Sequence, residues 1–225
     1  MDMKGSDLNK AIFIDVEMRK SREVDPWDNP PIVGVLIDGE YTAYACKSFL
    51  ETSVAYQKLN KKEQNWKYSP STELVFSNLI DLATREGRKI VAYSNHEKKV
   101  MNAIFPDKKT IIKDIYVDAN MKNWFKKNRG TTFRRLKKKK KGEYNKSVGL
   151  KDFLHLDYVD YEIPNFFKGF SPAAALSRIE KQIATHGSHS DIKSRRKSDF
   201  TNLYTYNLHD CKGMEALLHY VDSRT

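Results

Sequence analysis

Two acids, Asp15 and Glu17, stand two positions apart in the run Ala11-Ile-Phe-Ile-Asp-Val-Glu17, whose other members are all apolar. On an extended strand, residues i and i+2 point to the same face, so both carboxylates share one side of a hydrophobic ribbon. Anions held together in a poorly hydrated setting repel one another. A hard divalent cation relieves that repulsion, and Mg²⁺ and Mn²⁺ both favour oxygen ligands. The other reading is a strand end in solvent, where paired acids are ordinary. Near the C-terminus, Tyr206-Asn-Leu-His-Asp210 puts a phenol and a carboxylate one helical turn apart. There Asp210 can complete a cation cage while Tyr206, or nearby His209, contacts an attacking water. Equally, Tyr206 can pack in a core with Leu217, leaving Asp210 as a surface acid. Glu97 follows a strand that ends at Tyr93, at the carboxyl edge where α/β sheets bind ligands. A first-turn glutamate also suits the helix dipole, and His96 reads as a loop histidine.

The elements needed to hold these groups are legible as pattern. After the first strand, Pro30-Pro31 leads into Ile32-Val-Gly-Val-Leu-Ile37. Asp38-Gly39 is a two-residue hairpin signal, and Tyr41-Thr-Ala-Tyr-Ala-Cys46 returns as a third strand. Helices and strands then alternate. A helix is expected from Ser69-Pro70, with Leu74, Val75, Leu79, Leu82 and Ala83 as its apolar face. A strand is expected over 89–93, a short helix over 97–104 and a strand over 110–117. Further helices are expected from Ser171-Pro172 to about Thr185 and over 202–221. The fold class predicted is α/β, a mixed sheet of a three-strand antiparallel meander followed by two parallel strands, flanked by helices. One domain over 1–225 is expected, interrupted by basic insertion loops at about 126–146 and 186–199.

Composition narrows the partners. The chain has 225 residues, 40 basic against 29 acidic, and a net charge of +11, which favours a polyanion. Residues 126–146 hold eleven basic side chains and one acid, Glu143, so this segment is the expected contact with phosphates. Arg134, Arg135, Lys137, Lys138, Lys139, Lys140 and Lys141 are its candidate nucleic-acid-binding residues. Phe133 and Tyr144 lie nearby and can stack on the bases of a single strand, whereas Trp124 reads as core. A solvated charge run or a localisation signal is the other reading. Two cysteines make neither a disulfide framework nor a zinc site. With no membrane-length apolar run and no apolar signal core, a cytoplasmic setting without membrane contact is expected.

The order of Asp15-Val-Glu17, Tyr93-Ser-Asn-His-Glu97 and Tyr206-Asn-Leu-His-Asp210 resembles the DEDD 3′–5′ exonucleases. These are the DnaQ-like family of the ribonuclease-H-like superfamily, here in its tyrosine branch and most like the YprB-type domains. Ser147-Val-Gly-Leu-Lys-Asp-Phe153 looks like a helix such families carry between their last two motifs. The resemblance spans roughly residues 10–221. It implies a ribonuclease-H-like fold and hydrolysis of DNA or RNA phosphodiesters, single-stranded substrates first, with two Mg²⁺ or Mn²⁺ ions. Asp15 would bridge the ions, Glu17 and Asp210 would hold one of them, and Glu97 would reach the site directly or through water. Tyr206 would orient the nucleophile. The chain departs from the pattern at Glu97, where family members have aspartate, and at His96, where an aromatic ring is expected; Asp114 or Asp118 can substitute. Two other readings remain open. Glu97-Lys98-Lys99 with Asp81 matches part of the PD-(D/E)xK endonuclease motif, and an impaired metal site would leave a nucleic-acid-binding or partner-recruiting module.

Overall fold

The structure, a computed structural model, describes residues 5–18, 30–60, 63–139, 148–167 and 169–225. A short helix α1 (Gly5–Leu8) leads into β1 (Ile12–Glu17), β2 (Ile32–Ile37) and β3 (Glu40–Ala45). Asp38 and Gly39 join β2 to β3 with φ of 51° and 81°, the left-handed pair that a tight hairpin requires. Arg88 grips that turn, its guanidinium donating 2.8 Å and 3.0 Å bonds to the two Asp38 carboxylate oxygens. Next come α2 (Glu51–Leu59), β4 (Trp66–Tyr68), α3 (Thr72–Glu86), β5 (Ile90–Ala92), α4 (His96–Ile104), α5 (Lys109–Ile115) and β6 (Tyr116–Asp118). The chain finishes with α6 (Lys122–Asn128), α7 (Gly130–Lys139), α8 (Leu150–Leu154), α9 (Pro172–His186) and α10 (Ser194–Asp222).

The strands form one sheet in the order β4-β3-β2-β1-β5-β6. The β1–β2 and β2–β3 pairs are antiparallel, while β4, β5 and β6 each run parallel to their neighbour. This is the expected ribonuclease-H-like mixed sheet, with one further edge strand, β4. Helices bury both faces. Ile12, Ile14 and Val16 of β1 pack with Phe76 of α3, Met101 of α4 and Ile112 of α5. Phe13, between them, faces a second core with Phe153 of α8, Ile179 of α9 and Leu203 and Met214 of α10. The period of two therefore sends Asp15 and Glu17 toward the α10 side. At 29 residues α10 is roughly 43 Å long, enough to cross β1, β2 and β3. A buried Asp199 ties it to α9, accepting from Arg178 at 3.1 Å and from Arg196 at 2.5 Å. Among the described residues no helix is long and apolar enough to cross a membrane.

Several local expectations need correction. Most of 110–117 is not a strand but the helix α5, leaving only Tyr116–Asp118 in the sheet. The run Thr-Ile-Ile carries β propensity, yet the buried positions are Ile112 and Ile115, one helical turn apart, and packing outweighs propensity. The basic stretch is also not a loop as far as Lys139: it forms the end of α6 and all of α7. Lysine and arginine are good helix formers, and buried Phe125 with half-buried Phe133 and Leu136 supplies the apolar face. In 186–199 only 187–193 lies outside a helix, and it buries His189 and Ile192. The cap of α3 is Ser71 rather than Ser69, its hydroxyl accepting from the Leu74 amide at 3.1 Å. Glu97-Lys98-Lys99 sits on α4 and Asp81 on α3, so the strand-borne Glu-x-Lys of the alternative endonuclease motif is not formed.

Candidate metal centre

Antiparallel pairing sets Asp15 of β1 opposite Gly34 of β2. Asn207 of α10 descends onto that glycine: a Cβ there would stand 1.4 Å from Asn207 Oδ1. The side chain of Asn207 is fully buried, and its partners fix its orientation. Tyr41 of β3 donates its hydroxyl proton to Asn207 Oδ1 at 2.7 Å. The amide nitrogen therefore faces the strand, donating to Asp15 Oδ2 at 2.5 Å and to the Asp15 carbonyl at 3.3 Å. Burial raises the Tyr41 pKa well above its ordinary value, so the phenol keeps the proton this arrangement uses.

One turn beyond Asn207, Asp210 reaches the same place. One carboxylate oxygen from each of Asp15, Glu17 and Asp210 lies within 4.8 Å of the others, so the triad can hold a metal ion. The electrostatics show what the cation would relieve. Burial, followed by repulsion from Glu17, Asp210 and Glu97, pushes the Asp15 carboxyl well up, while Lys151 pulls it down. Glu17 is raised by burial and then by Asp210, against Lys151 and a hydrogen bond with Asn207. Burial lifts Asp210 to about 6 despite Lys151.

Lys151 comes from α8, whose first turn is fixed where the Gly149 amide donates to Asp152 Oδ2 at 2.6 Å. Its Nζ lies 3.6 Å from Asp210 Oδ1 and 3.4 Å from the centre of the Tyr206 ring. The opposing charge of Asp210 and the negative π face of Tyr206 both favour the ammonium there. Tyr206 also stacks on Phe167, with centroids 4.6 Å apart and planes 11° apart. Its phenol is raised by burial and then by Asp210, Glu17 and Asp15, so it is neutral at physiological pH. His209 is engaged elsewhere: the Tyr161 hydroxyl lies 2.7 Å from its Nδ1.

Of the predicted site residues, Asp15, Glu17 and Asp210 converge and Tyr206 stands beside them. Glu97 remains outside the cluster, buried at the head of α4 with its Oε2 accepting from Ser94 Oγ at 3.1 Å. It is nonetheless coupled to the centre electrostatically. Burial first, then repulsion from Asp118 and Asp210, lifts it to about 7 against its hydrogen bonds. Asp118 is committed to a turn, accepting from the Asn120 amide at 2.9 Å and from Asn95 Nδ2 at 3.1 Å. Asp114 lies on α5, just before β6 and at the opposite end of that strand from Asp118. Arg134, Arg135, Lys137 and Lys138 are exposed on α7. Lys139 closes that helix, while Lys140, Lys141 and Tyr144 lie outside the described residues.

Sequence reasoning missed Asn207, Tyr41, Gly34 and the placement of Lys151 at the centre. Gly34 left a signal, since a glycine inside a β-branched strand often marks close approach. Lys151 was part of a recognised helix segment but had no role. A test of its charge is Lys151→Met, which keeps the stem. Removing a competing cation 3.6 Å from Asp210 is expected to tighten Mn²⁺ binding about tenfold in calorimetry. Unchanged affinity would show that the triad does not feel the ammonium. No protein-family model matches the chain, and comparison with curated proteins and with solved structures gives no significant match.

Proposed function

We propose that the chain is a divalent-metal-dependent nuclease that hydrolyses phosphodiester bonds of DNA or RNA. Its mode is that of a 3′–5′ exonuclease of the DnaQ-like tyrosine branch. The observation that carries this reading is the convergence of Asp15, Glu17 and Asp210, from opposite ends of the chain, within 4.8 Å. The donor set fits Mg²⁺ or Mn²⁺, being all carboxylate oxygen, with no thiolate or imidazole in the cluster. Two such ions, when bound, lower the pKa of a water and stabilise the leaving oxygen.

The chain's own groups divide the remaining work. Asp15 would be the central metal-holding carboxylate, with its free choice of orientation removed by Asn207. Glu17 and Asp210 would hold the metal with it, and Glu97 would contribute directly or through water. Tyr206, neutral and packed against both Phe167 and Lys151, positions the nucleophile by hydrogen bonding rather than acting as an anionic base. Lys151 offers a positive charge to the phosphoryl oxygens as negative charge develops on them. Arg134, Arg135, Lys137 and Lys138 attract and retain the polyanionic strand.

Digestion of end-labelled single- and double-stranded DNA and RNA in Mg²⁺ or Mn²⁺ tests this. A 3′-end ladder on single strands is expected. Asp15→Asn should remove several kcal/mol of transition-state stabilisation, a loss of roughly a thousandfold or more. Tyr206→Phe should lose about ten- to a hundredfold with the fold intact. Cleavage unchanged in Asp15→Asn would refute the assignment. A folded protein that binds strands but cuts none in either metal would be the binding module instead.

A further inference from the structure

Away from the carboxylates, aromatic rings and guanidinium groups alternate where α6, α7, the turn after α8 and the last turns of α10 meet. Arg129 Nη2 donates to the Tyr220 hydroxyl at 3.0 Å, and its guanidinium lies 5.4 Å from the Tyr158 ring centre. Tyr158 and Tyr220 are 5.4 Å apart with planes inclined by 31°. Trp124 meets Tyr220 edge-on at 6.1 Å, and the Arg224 guanidinium lies 5.8 Å from the same ring. Most large apolar side chains here are covered, yet Tyr158 is 38% exposed.

A hollow lies on either side of this ridge. One, of about 340 Å³, is lined by Arg135, Leu136, His155 and Tyr158 among others. The other, of about 690 Å³, includes Trp124, Lys127, Asn128 and Arg224. Asp118, Asp157 and Asp222 are the acids in their linings. With Arg129 of the ridge, Lys127, Arg135 and Arg224 make four cations against these three acids, and residues 126–138 contain no acid at all.

We propose that this ridge and its two hollows bind single-stranded nucleic acid, with bases stacking on Tyr158 and phosphates held by Arg129, Arg135 and Lys127. The exposed ring offers a face to a planar base and the cations favour a polyanion. Unpaired strands supply both in one polymer, whereas a duplex hides its base faces. The turn bearing Tyr158 directly follows α8, which carries Lys151 beside Asp210. A strand on the ridge therefore lies along the element that leads to the metal centre. The inference rests on the nuclease reading for where the strand goes, not for whether it binds.

The test measures binding without catalysis. Fluorescence anisotropy in EDTA compares a labelled oligothymidylate with an abasic oligonucleotide of equal length. Wild type is expected to prefer the base-bearing strand by about tenfold, the worth of one stacked base. Tyr158→Ala should lose most of that preference while still binding the abasic strand with unchanged salt dependence, and Tyr158→Phe should retain it. Arg129→Ala/Arg135→Ala should weaken both strands alike and flatten the salt dependence. Circular dichroism checks that each variant is folded. Equal affinity of wild type for the two strands, binding of neither, or a preference unmoved by Tyr158→Ala would overturn the proposal. Because no metal is present, a failure to cleave in other assays bears on the carboxylate site alone.

Discussion

Asp15→Asn is expected to make the metal-free protein more stable while abolishing its response to Mn²⁺. In the metal-free state Asp15 is an acid crowded by Glu17, Asp210 and Glu97 and poorly hydrated. Asparagine removes that charge, and its Oδ1 can still accept the Asn207 bond now made by Asp15 Oδ2. A gain of about 2 kcal/mol is expected, which for a chain of this size raises Tm by roughly 4–8 °C. Added Mn²⁺ should then raise Tm of the wild type by mass action and leave the variant unmoved. Scanning calorimetry with and without metal gives both results. A variant less stable than wild type without metal would mean that Asp15 is not under electrostatic strain.

Burial of the site's carboxyls inverts the usual pH dependence. Asp210 and Glu97 titrate near 6 and 7 in the folded chain, against about 4 when unfolded. Between pH about 4 and about 7 the folded state therefore binds more protons than the unfolded state. Stability of the metal-free protein falls as pH rises through that window, by roughly 1.4 kcal/mol per unit for each such group. Asp38 and Glu86, whose carboxyls are held low by Arg88 and, for Glu86, first by Arg85, work in the opposite sense below that range. Bound metal opposes the loss of stability with rising pH within the same window, because the ion requires the ionised carboxylates.

Gly34→Ala is expected to be the most disruptive small substitution near the site. The added methyl would stand 1.4 Å from Asn207 Oδ1, 2.6 Å from its Cγ and 2.8 Å from the Tyr41 hydroxyl. None of these is a free chain end, since Tyr41 and Asn207 are hydrogen-bonded to each other and to Asp15. Overpacking at such a point costs about 3 kcal/mol, and releasing Asn207 from Asp15 should weaken metal binding as well. Asn207→Ala alone should cost about 2 kcal/mol, because it strands the Tyr41 hydroxyl. The double variant should cost less than the sum, since removing the amide makes room for the methyl. Urea denaturation of the four proteins measures this coupling. A Gly34→Ala cost below about 1 kcal/mol would contradict the packing of α10 on β2.

What was legible in the sequence was local. Asp15 and Glu17 on one strand face, the Asp38-Gly39 turn and the one-turn spacing of Tyr206 and Asp210 are all set by the geometry of a single element. Glu97 at a strand's carboxyl edge was legible for the same reason, although its withdrawal toward Ser94 was not. The errors came where tertiary packing chose between local options. Thr110-Ile-Ile has strand propensity but is drawn into α5 by the placement of Ile112 and Ile115. The lysine-rich α7 has polar composition but rests on Phe133 and Leu136. The bond from Tyr41 through Asn207 to Asp15 joins three elements remote in sequence, and no residue pattern within any one of them encodes it. Lys151 reached Asp210 only once α8 was docked on α10.

Electron paramagnetic resonance of Mn²⁺ titrated into the wild type, Asp15→Asn and Asp210→Asn near neutral pH tests the central claim most directly. The wild type should take up Mn²⁺ at the Asp15–Glu17–Asp210 cluster with an affinity that weakens as pH falls, because burial holds the metal-free Asp210 carboxyl up at about 6 and protons compete with the ion. Both variants should leave the ion in solution. Equal uptake by Asp15→Asn, or none by the folded wild type, would contradict a metal centre at these carboxylates.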